Sequence, residues 1–173
     1  MSQCMQIEQL NREGWARTYL VVCEESSKAA LVDPIWENLE LDLALLKSRE
    51  YVLQMVIGTH THADHISAGW LLAERTGCEF IMLESASTHG VTQYVVNHEK
   101  LEMGSVSFTF HAVPGHTTDS MLVEVSGHIM TGDFLFNGSG GVGRDDLPGG
   151  DVEAHWNSLQ VLNRFSGDVK VLS

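Results

Sequence analysis

Apolar residues along the chain fall into short blocks that alternate between strand and helix spacing. Residues 18–23 and 29–32 are strand-like, and Asp33-Pro34 closes the second, because proline lacks an amide donor and turns the chain out of a ladder. Leu39, Leu43 and Leu46 recur at helical spacing within residues 37–48, with Leu41 and Leu45 widening the stripe. That pattern predicts an amphipathic helix lying on a sheet. The apolar run Val52–Ile57 predicts a buried strand, residues 68–76 a short helix stopped by Gly77, and Glu79–Leu83 another strand. Val106, Phe108 and Phe110 alternate with Ser107, Thr109 and His111 as on a half-buried strand, and residues 121–125 and 128–131 flank the hairpin signal Ser126-Gly127. Asp151 is placed to cap a helix running through Phe165, with Val152, Trp156, Leu159 and Leu162 on its inward face, and residues 169–172 make a last strand. Neither a low-complexity linker nor an internal repeat interrupts the series, so the expectation is one α/β domain over residues 1–173.

The chemistry gathers where strands end. Directly after Val52–Ile57 comes Thr59-His60-Thr61-His62-Ala63-Asp64-His65, four metal-competent side chains within six residues. Clusters of histidine and aspartate this dense mark metal or catalytic sites. In an extended backbone alternate side chains share a face, so His60, His62 and Asp64 would point one way and His65 another, feeding one metal or two adjacent ones. Pro114-Gly115-His116-Thr117 follows the 106–112 strand and presents an imidazole at a sharp turn, and Thr131-Gly132-Asp133 ends the next hairpin with a carboxylate.

Composition narrows the partners. Ten basic residues against 23 acidic ones leave a formal net charge of −13, which argues against nucleic acid or an anionic membrane as a general partner. A hydrophobic share of 43% over 173 residues is enough for a sizeable core. No apolar run approaches the roughly 18 to 20 residues of a membrane span, and the N-terminus lacks a basic and apolar signal pattern. Cys4, Cys23 and Cys78 form no CxxC pair, which suits a reducing compartment, and the expected location is cytoplasmic.

The ordered set THxHxDH, PGHT and TGD resembles the metallo-β-lactamase superfamily over nearly the whole chain, from Tyr19 to Ser173. The resemblance implies an αβ/βα sandwich of two mixed sheets flanked by helices, with metal at one edge. Carried over by motif position, one metal site would use His60, His62, His116 and Asp133, and a second Asp64, His65 and the shared Asp133, with Asp33 a buttress beneath the loop. Members usually continue past a final strand such as Val169-Lys170-Val171-Leu172 with a glycine and a histidine that completes the second site, so the resemblance implies either a C-terminally truncated domain, the favoured expectation, or a second site short of one ligand.

Within the superfamily, the ALVDP run, THTHADHISAG, PGHTTDS, and GDFLF followed by GRDDLPGGD look most like the persulfide dioxygenases, with the type II glyoxalases next. The dioxygenase likeness implies one Fe(II) held by His60, His116 and Asp133 as the catalytic residues, oxidising glutathione persulfide with O₂ to sulfite and glutathione. A 2-His-1-carboxylate face leaves positions open for both substrate and O₂. The alternative is a glyoxalase II-like thioester hydrolase with Zn(II) or a dinuclear site, in which a metal pair activates water; a non-catalytic metal-binding module is a third. In either enzyme reading the partner is a small-molecule thiol substrate. Arg144, after Gly143 in the loop near the site, is the candidate for a substrate carboxylate because its guanidinium is a bidentate fork; a salt bridge to Asp145 or Asp146 is the competing role.

Several patterns carry less. Gly138, Gly140 and Gly143 match GxGxxG but lead into Asp145-Asp146-Leu147-Pro148 and not into a helix, which argues against a nucleotide cradle. His89, His98, His111, His128 and His155 read as ordinary polar or core residues. Trp15, Trp36, Trp70 and Trp156 read as packing residues, any exposed ones being available to a homo-oligomer contact.

Overall fold

A computed structural model describes residues 5–11 and 16–173; Cys4 and Trp15 lie outside them. The first sheet runs in sequence order through β1 (Met5–Gln9), β2 (Tyr19–Cys23), β3 (Lys28–Val32), β4 (Val52–Ile57), β5 (Glu79–Leu83) and β6 (Gln93–Val95). Its first three strands pair antiparallel and the rest parallel. In the second sheet, β7 (Lys100–Met103), β8 (Val106–Ala112), β9 (Met121–Val125) and β10 (His128–Met130) form an antiparallel meander. β11 (Leu135–Phe136) and β12 (Gly141–Val142) make a separate small hairpin, and β13 (Lys170–Leu172) adds to the second sheet parallel to β10. α1 (Leu39–Ser48) and α2 (Gly69–Thr76) connect the parallel strands, and α3 (Val152–Ser158) precedes β13.

Alternation along the strands decides the layers. Val21, Val32 and Ile57 from one sheet meet Phe108, Phe110 and Val123 from the other, all fully buried. Intervening residues point outward: Leu20, Leu31, Val56 and Phe80 pack under Leu39, Leu46 and Leu72 of the helices. On the outer face of the second sheet Leu122 and Phe134 are covered by Leu159, Leu162 and Phe165. The result is the helix, sheet, sheet, helix sandwich that the sequence implied.

β1, β6, β7, β11 and β12 are not visible in the hydrophobic pattern. β1 and β7 carry Gln, Glu and Lys, and β6, β11 and β12 are only two or three residues long, too short for alternation to register. Two helix expectations also change. Leu41 is exposed, because it lies about 200° around the helix from Leu39, and Asp42 takes an inward position instead. The predicted helix over 151–165 does begin at Asp151, whose side chain accepts from the Ala154 amide, but it ends at Ser158 and continues as a 3₁₀ segment, Leu159–Arg164. Val152 and Trp156, expected to face inward, are 67% and 68% exposed. His155 is buried in their place: its Nε2 donates to the Phe134 carbonyl at 3.0 Å, and its Cα lies against Gly115, where a Cβ would come within 2.4 Å of it.

The buried Asp42 yields a stability prediction. Its Oδ2 has no hydrogen-bond partner, and burial pushes its carboxyl up to about 6. A raised carboxyl costs nothing below the unfolded value near 4, where both states are protonated; stability falls between about pH 4 and 6, and the penalty persists above. Asp42→Asn should therefore gain roughly 1 to 2 kcal/mol at pH 7 and nothing at pH 3, as read by urea unfolding at both pH values.

Candidate metal centre

Four segments leaving the C-terminal ends of β3, β4, β8 and β10 meet at one edge of the sandwich. Each supplies a motif residue: Asp33, the run from His60 to His65, His116 and Asp133. The first sheet is tied to the second here by a backbone bond from the Met121 amide to the Thr59 carbonyl at 2.9 Å.

The structure sorts the candidate ligands into two neighbouring groups. His60, His116 and Asp133 form one, and His62, Asp64 and His65 the other, with the ligand atoms of each group within 4.8 Å of one another. His62, assigned by motif position to the first group, thus gathers with the second; its ring still lies 4.0 Å from that of His60 and 4.1 Å from that of His65. The loop from 58 to 67 is irregular and not extended, so the alternation that placed His60, His62 and Asp64 on one face does not hold.

Hydrogen bonds set which ring nitrogen of each histidine carries its proton. Thr59 Oγ1 donates to Asp33 Oδ2 at 2.7 Å, so it must accept from His60 Nδ1 at 2.9 Å, which leaves a lone pair on His60 Nε2. His116 Nδ1 faces the Arg144 carbonyl at 2.6 Å and can only donate, leaving Nε2 free to ligate. His62 reverses the pattern: its Nε2 donates to Asp33 Oδ1 at 3.2 Å, and Nδ1 keeps the lone pair. His65 Nδ1 lies 3.0 Å from Asp64 Oδ1 and again leaves Nε2. The second hydrogen bond of a ligating imidazole fixes ring orientation and basicity in this way.

These residues fit a metal ion. His60 Nε2 and His65 Nε2 are buried without a hydrogen-bond partner, which is costly unless a ligand completes them. Asp133 Oδ2 lies 4.0 Å from His60 Nε2 and 3.6 Å from His116 Nε2. Two donors on one ion with bonds near 2.1 Å stand roughly 3 to 3.5 Å apart, so little movement would close the set. Burial pushes the His60 imidazole down to about 3, which keeps it in the neutral, ligating form. Burial also holds the Asp133 carboxyl above the usual range, the direction a nearby cation would reverse. The side chains of His60 and His116 are 3% and 4% exposed against 40% for Asp133, so the trio opens on its carboxylate side.

Asp33 organises the centre from below. Burial works against its charge, yet the His62 imidazole and the Thr59 hydroxyl outweigh it and hold its carboxyl below the ordinary value; the same pairing holds His62 above its own. It accepts from the Thr59 amide, the Thr59 hydroxyl and His62, and its backbone takes a positive φ of 50° that non-glycine residues seldom adopt. Asp119, absent from the sequence-derived site, does the same from the other side. It accepts from the Thr61 amide at 3.2 Å, the Thr61 hydroxyl at 2.6 Å and the Thr117 hydroxyl at 2.6 Å. Its only signal was its place in the polar run after His116.

Arg144 enters the centre by its backbone. Its carbonyl orients His116, whereas its guanidinium pairs with Asp146 through bonds of 2.8 and 3.0 Å on the exterior. Gly143 makes this passage sterically open: a Cβ there would sit 1.6 Å from the Asp133 carbonyl oxygen. The GxGxxG-like glycines lie around the β11–β12 hairpin and form no helix-capped cradle. His89, His98, His111, His128 and His155 stand outside both ligand groups.

Comparison with known proteins agrees with this architecture. The metallo-beta-lactamase superfamily model matches residues 14–173. The persulfide dioxygenase ETHE1, mitochondrial, of Bos taurus is 30% identical over 145 residues, covering 82% of this chain and 56% of the relative. A probable hydroxyacylglutathione hydrolase of Schizosaccharomyces pombe is 34% identical over 125 residues, covering 69% and 48%. The chain thus spans about half the length of these curated relatives. The crystal structure of ETHE1 from Myxococcus xanthus superposes with a TM-score of 0.87 at 32% identity, over 96% of this chain and 73% of that one. A match of this extent in sequence and in fold settles the family, and the chain belongs to the metallo-beta-lactamase superfamily.

Proposed function

We propose that this chain carries the metal centre of a persulfide dioxygenase, converting glutathione persulfide, O₂ and water to glutathione, sulfite and two protons. The observation that carries the reading is the trio His60, His116 and Asp133, two imidazoles and one carboxylate brought together from three separate segments of the chain. Bound by that trio, Fe(II) would supply the redox chemistry that lets O₂ react with a thiolate sulfur, which Zn²⁺ lacks. The chain's own part is positional. Thr59 and the Arg144 carbonyl hold the His60 and His116 protons away from the site, and the exposed side of Asp133 faces a cavity also lined by Tyr19, Met130 and Phe136. Those apolar walls would keep water from the reacting sulfur on one side. Similarity to two ETHE1 proteins supports the same reading.

A thioester hydrolase is the second reading, and a specific observation favours it: His62, Asp64 and His65 form a further ligand group whose His62 ring lies 4.0 Å from that of His60. Two adjacent ions could there lower the pKa of a bound water for attack on a glutathione thioester. The deciding experiment adds glutathione persulfide to Fe(II)-loaded protein and follows O₂, with Zn(II)-loaded protein as control. O₂ uptake with sulfite formation in the iron form alone is the expected result. No uptake by folded, iron-loaded protein overturns the dioxygenase reading, and hydrolysis of S-lactoylglutathione would then establish the second.

A further inference from the structure

We propose that His155 is the positioning residue of this centre on the side of the second sheet, gathering the segments that carry His116 and Asp133 as Asp33 gathers the ligand loop on the side of the first. The assignment rests on the reading of His60, His116 and Asp133 as a metal trio. His155 is buried and stands outside both ligand groups, yet it meets three segments, each one residue away from a part of the trio's framework. Its Nε2 donates at 3.0 Å to the carbonyl of Phe134, which follows Asp133. Gly115, which precedes His116, lies directly against it, since a Cβ on that glycine would come within 2.4 Å of the His155 Cα and Cβ. Its Nδ1 lies 3.7 Å from Oδ2 of Asp145, which follows Arg144, the residue whose carbonyl accepts from His116 Nδ1.

Backbone bonds make these contacts one unit. The Asp151 amide donates to the Gly115 carbonyl at 2.8 Å, and the His155 amide donates to the Asp151 carbonyl at 2.9 Å, so α3 is seated on the turn before His116 and carries the ring with it. The Phe134 carbonyl accepts a second bond, from the Gly143 amide at 3.2 Å, which ties in the segment leading to Arg144. His60 and His116 each have a hydrogen bond that sets the ring. No hydrogen bond among the described residues holds the Asp133 carboxylate, whose Oδ2 stands 3.6 and 4.0 Å from the two imidazole nitrogens. Its place is therefore set by the backbone that bears it, and His155 is the side chain that fixes that backbone at the next residue. Leucine at 155 would remove the donor and leave the Phe134 carbonyl its Gly143 partner, so no buried carbonyl is orphaned and the fold is retained.

The test is titration of Co(II) into wild type, His155→Leu, His155→Gln and Asp151→Ala, reading both the affinity for the first equivalent and the visible ligand-field bands, with folding checked by circular dichroism. Asp151→Ala removes the cap on the Ala154 amide and keeps the His155 bonds, so it reports general loosening of α3. Expected is an affinity about tenfold weaker in His155→Leu, with shifted bands, as for loss of an outer partner of a metal site. His155→Gln, whose amide can donate to the same carbonyl, should largely recover both, and Asp151→Ala should leave both as in wild type. Wild-type affinity and bands in His155→Leu overturn the assignment and leave the metal reading standing. Failure of His155→Gln to recover either property, or losses in Asp151→Ala equal to those in His155→Leu, overturn it by reducing His155 to a packing residue of α3. Absence of Co(II) binding by folded wild type overturns the metal reading and this assignment with it.

Discussion

Replacing His116 or Asp133 by alanine should reduce O₂-dependent persulfide oxidation by roughly a thousandfold or more, while His65→Ala should cost about tenfold or less. The contrast comes from the division of ligands into two groups. His116 and Asp133 complete the trio with His60, and a trio that loses one donor loses an interaction worth several kcal/mol, each 1.4 kcal/mol of which is tenfold in rate. His65 belongs to the other group, and its ring lies 4.1 Å from that of His62. A dioxygenase working at one ion needs it as packing; a hydrolase working at two needs it as a ligand. Steady-state rates of the three variants, with bound metal counted per chain, separate the cases. Equal losses from His65→Ala and His116→Ala would sink the single-ion assignment and point to the dinuclear one.

Asp33→Asn should destabilise the metal-free protein by about 3 to 5 kcal/mol and weaken metal binding about 10- to 100-fold, although Asp33 is not grouped with either ligand set. Its carboxylate accepts from three donors, the Thr59 amide, the Thr59 hydroxyl and His62 Nε2, and is buried with them. An asparagine of the same shape must turn an NH₂ toward at least one of those donors, leaving buried groups unpaired. With the NH₂ on the Oδ2 side Thr59 would no longer be compelled to accept from His60 Nδ1; with it on the Oδ1 side His62 would lose the bond that reserves Nδ1 for a ligand. Urea unfolding of the metal-free protein reads the first effect, and chelator competition the second. A variant that binds metal like wild type would show that the ligand loop holds its shape without Asp33.

Much of this was legible along the chain because of where the ligands lie. Residues at the end of a buried strand are located by the strand, and alternation in Val106–Ala112 and the apolar run Val52–Ile57 mark their strands by burial alone. The same signal fails where burial is one-sided or brief, which is why β1, β6 and β7 escaped notice. It also fails where a tertiary contact outranks periodicity. Val152 and Trp156 have the spacing of an inward face, but the His155 bond to the Phe134 carbonyl and its contact with Gly115 turn that face outward.

The sequence by itself determined a series of alternating strands and helices, read from local periodicity, and a dense run of metal-competent side chains at strand ends; the ordered motifs THxHxDH, PGHT and TGD added a resemblance that implied the family, the two-sheet sandwich and the candidate ligands. The resemblance offered two divisions of those ligands, with and without His62 beside His60, and only the tertiary structure decided between them, since His60, His116 and Asp133 meet across two sheets while the irregular loop turns His62 toward Asp64 and His65. It also decided which nitrogen each imidazole offers and that Arg144 orients His116 by its carbonyl while its guanidinium pairs with Asp146. Those outcomes depend on distances between residues far apart in the chain, and no local pattern of hydrophobic and polar positions specifies them.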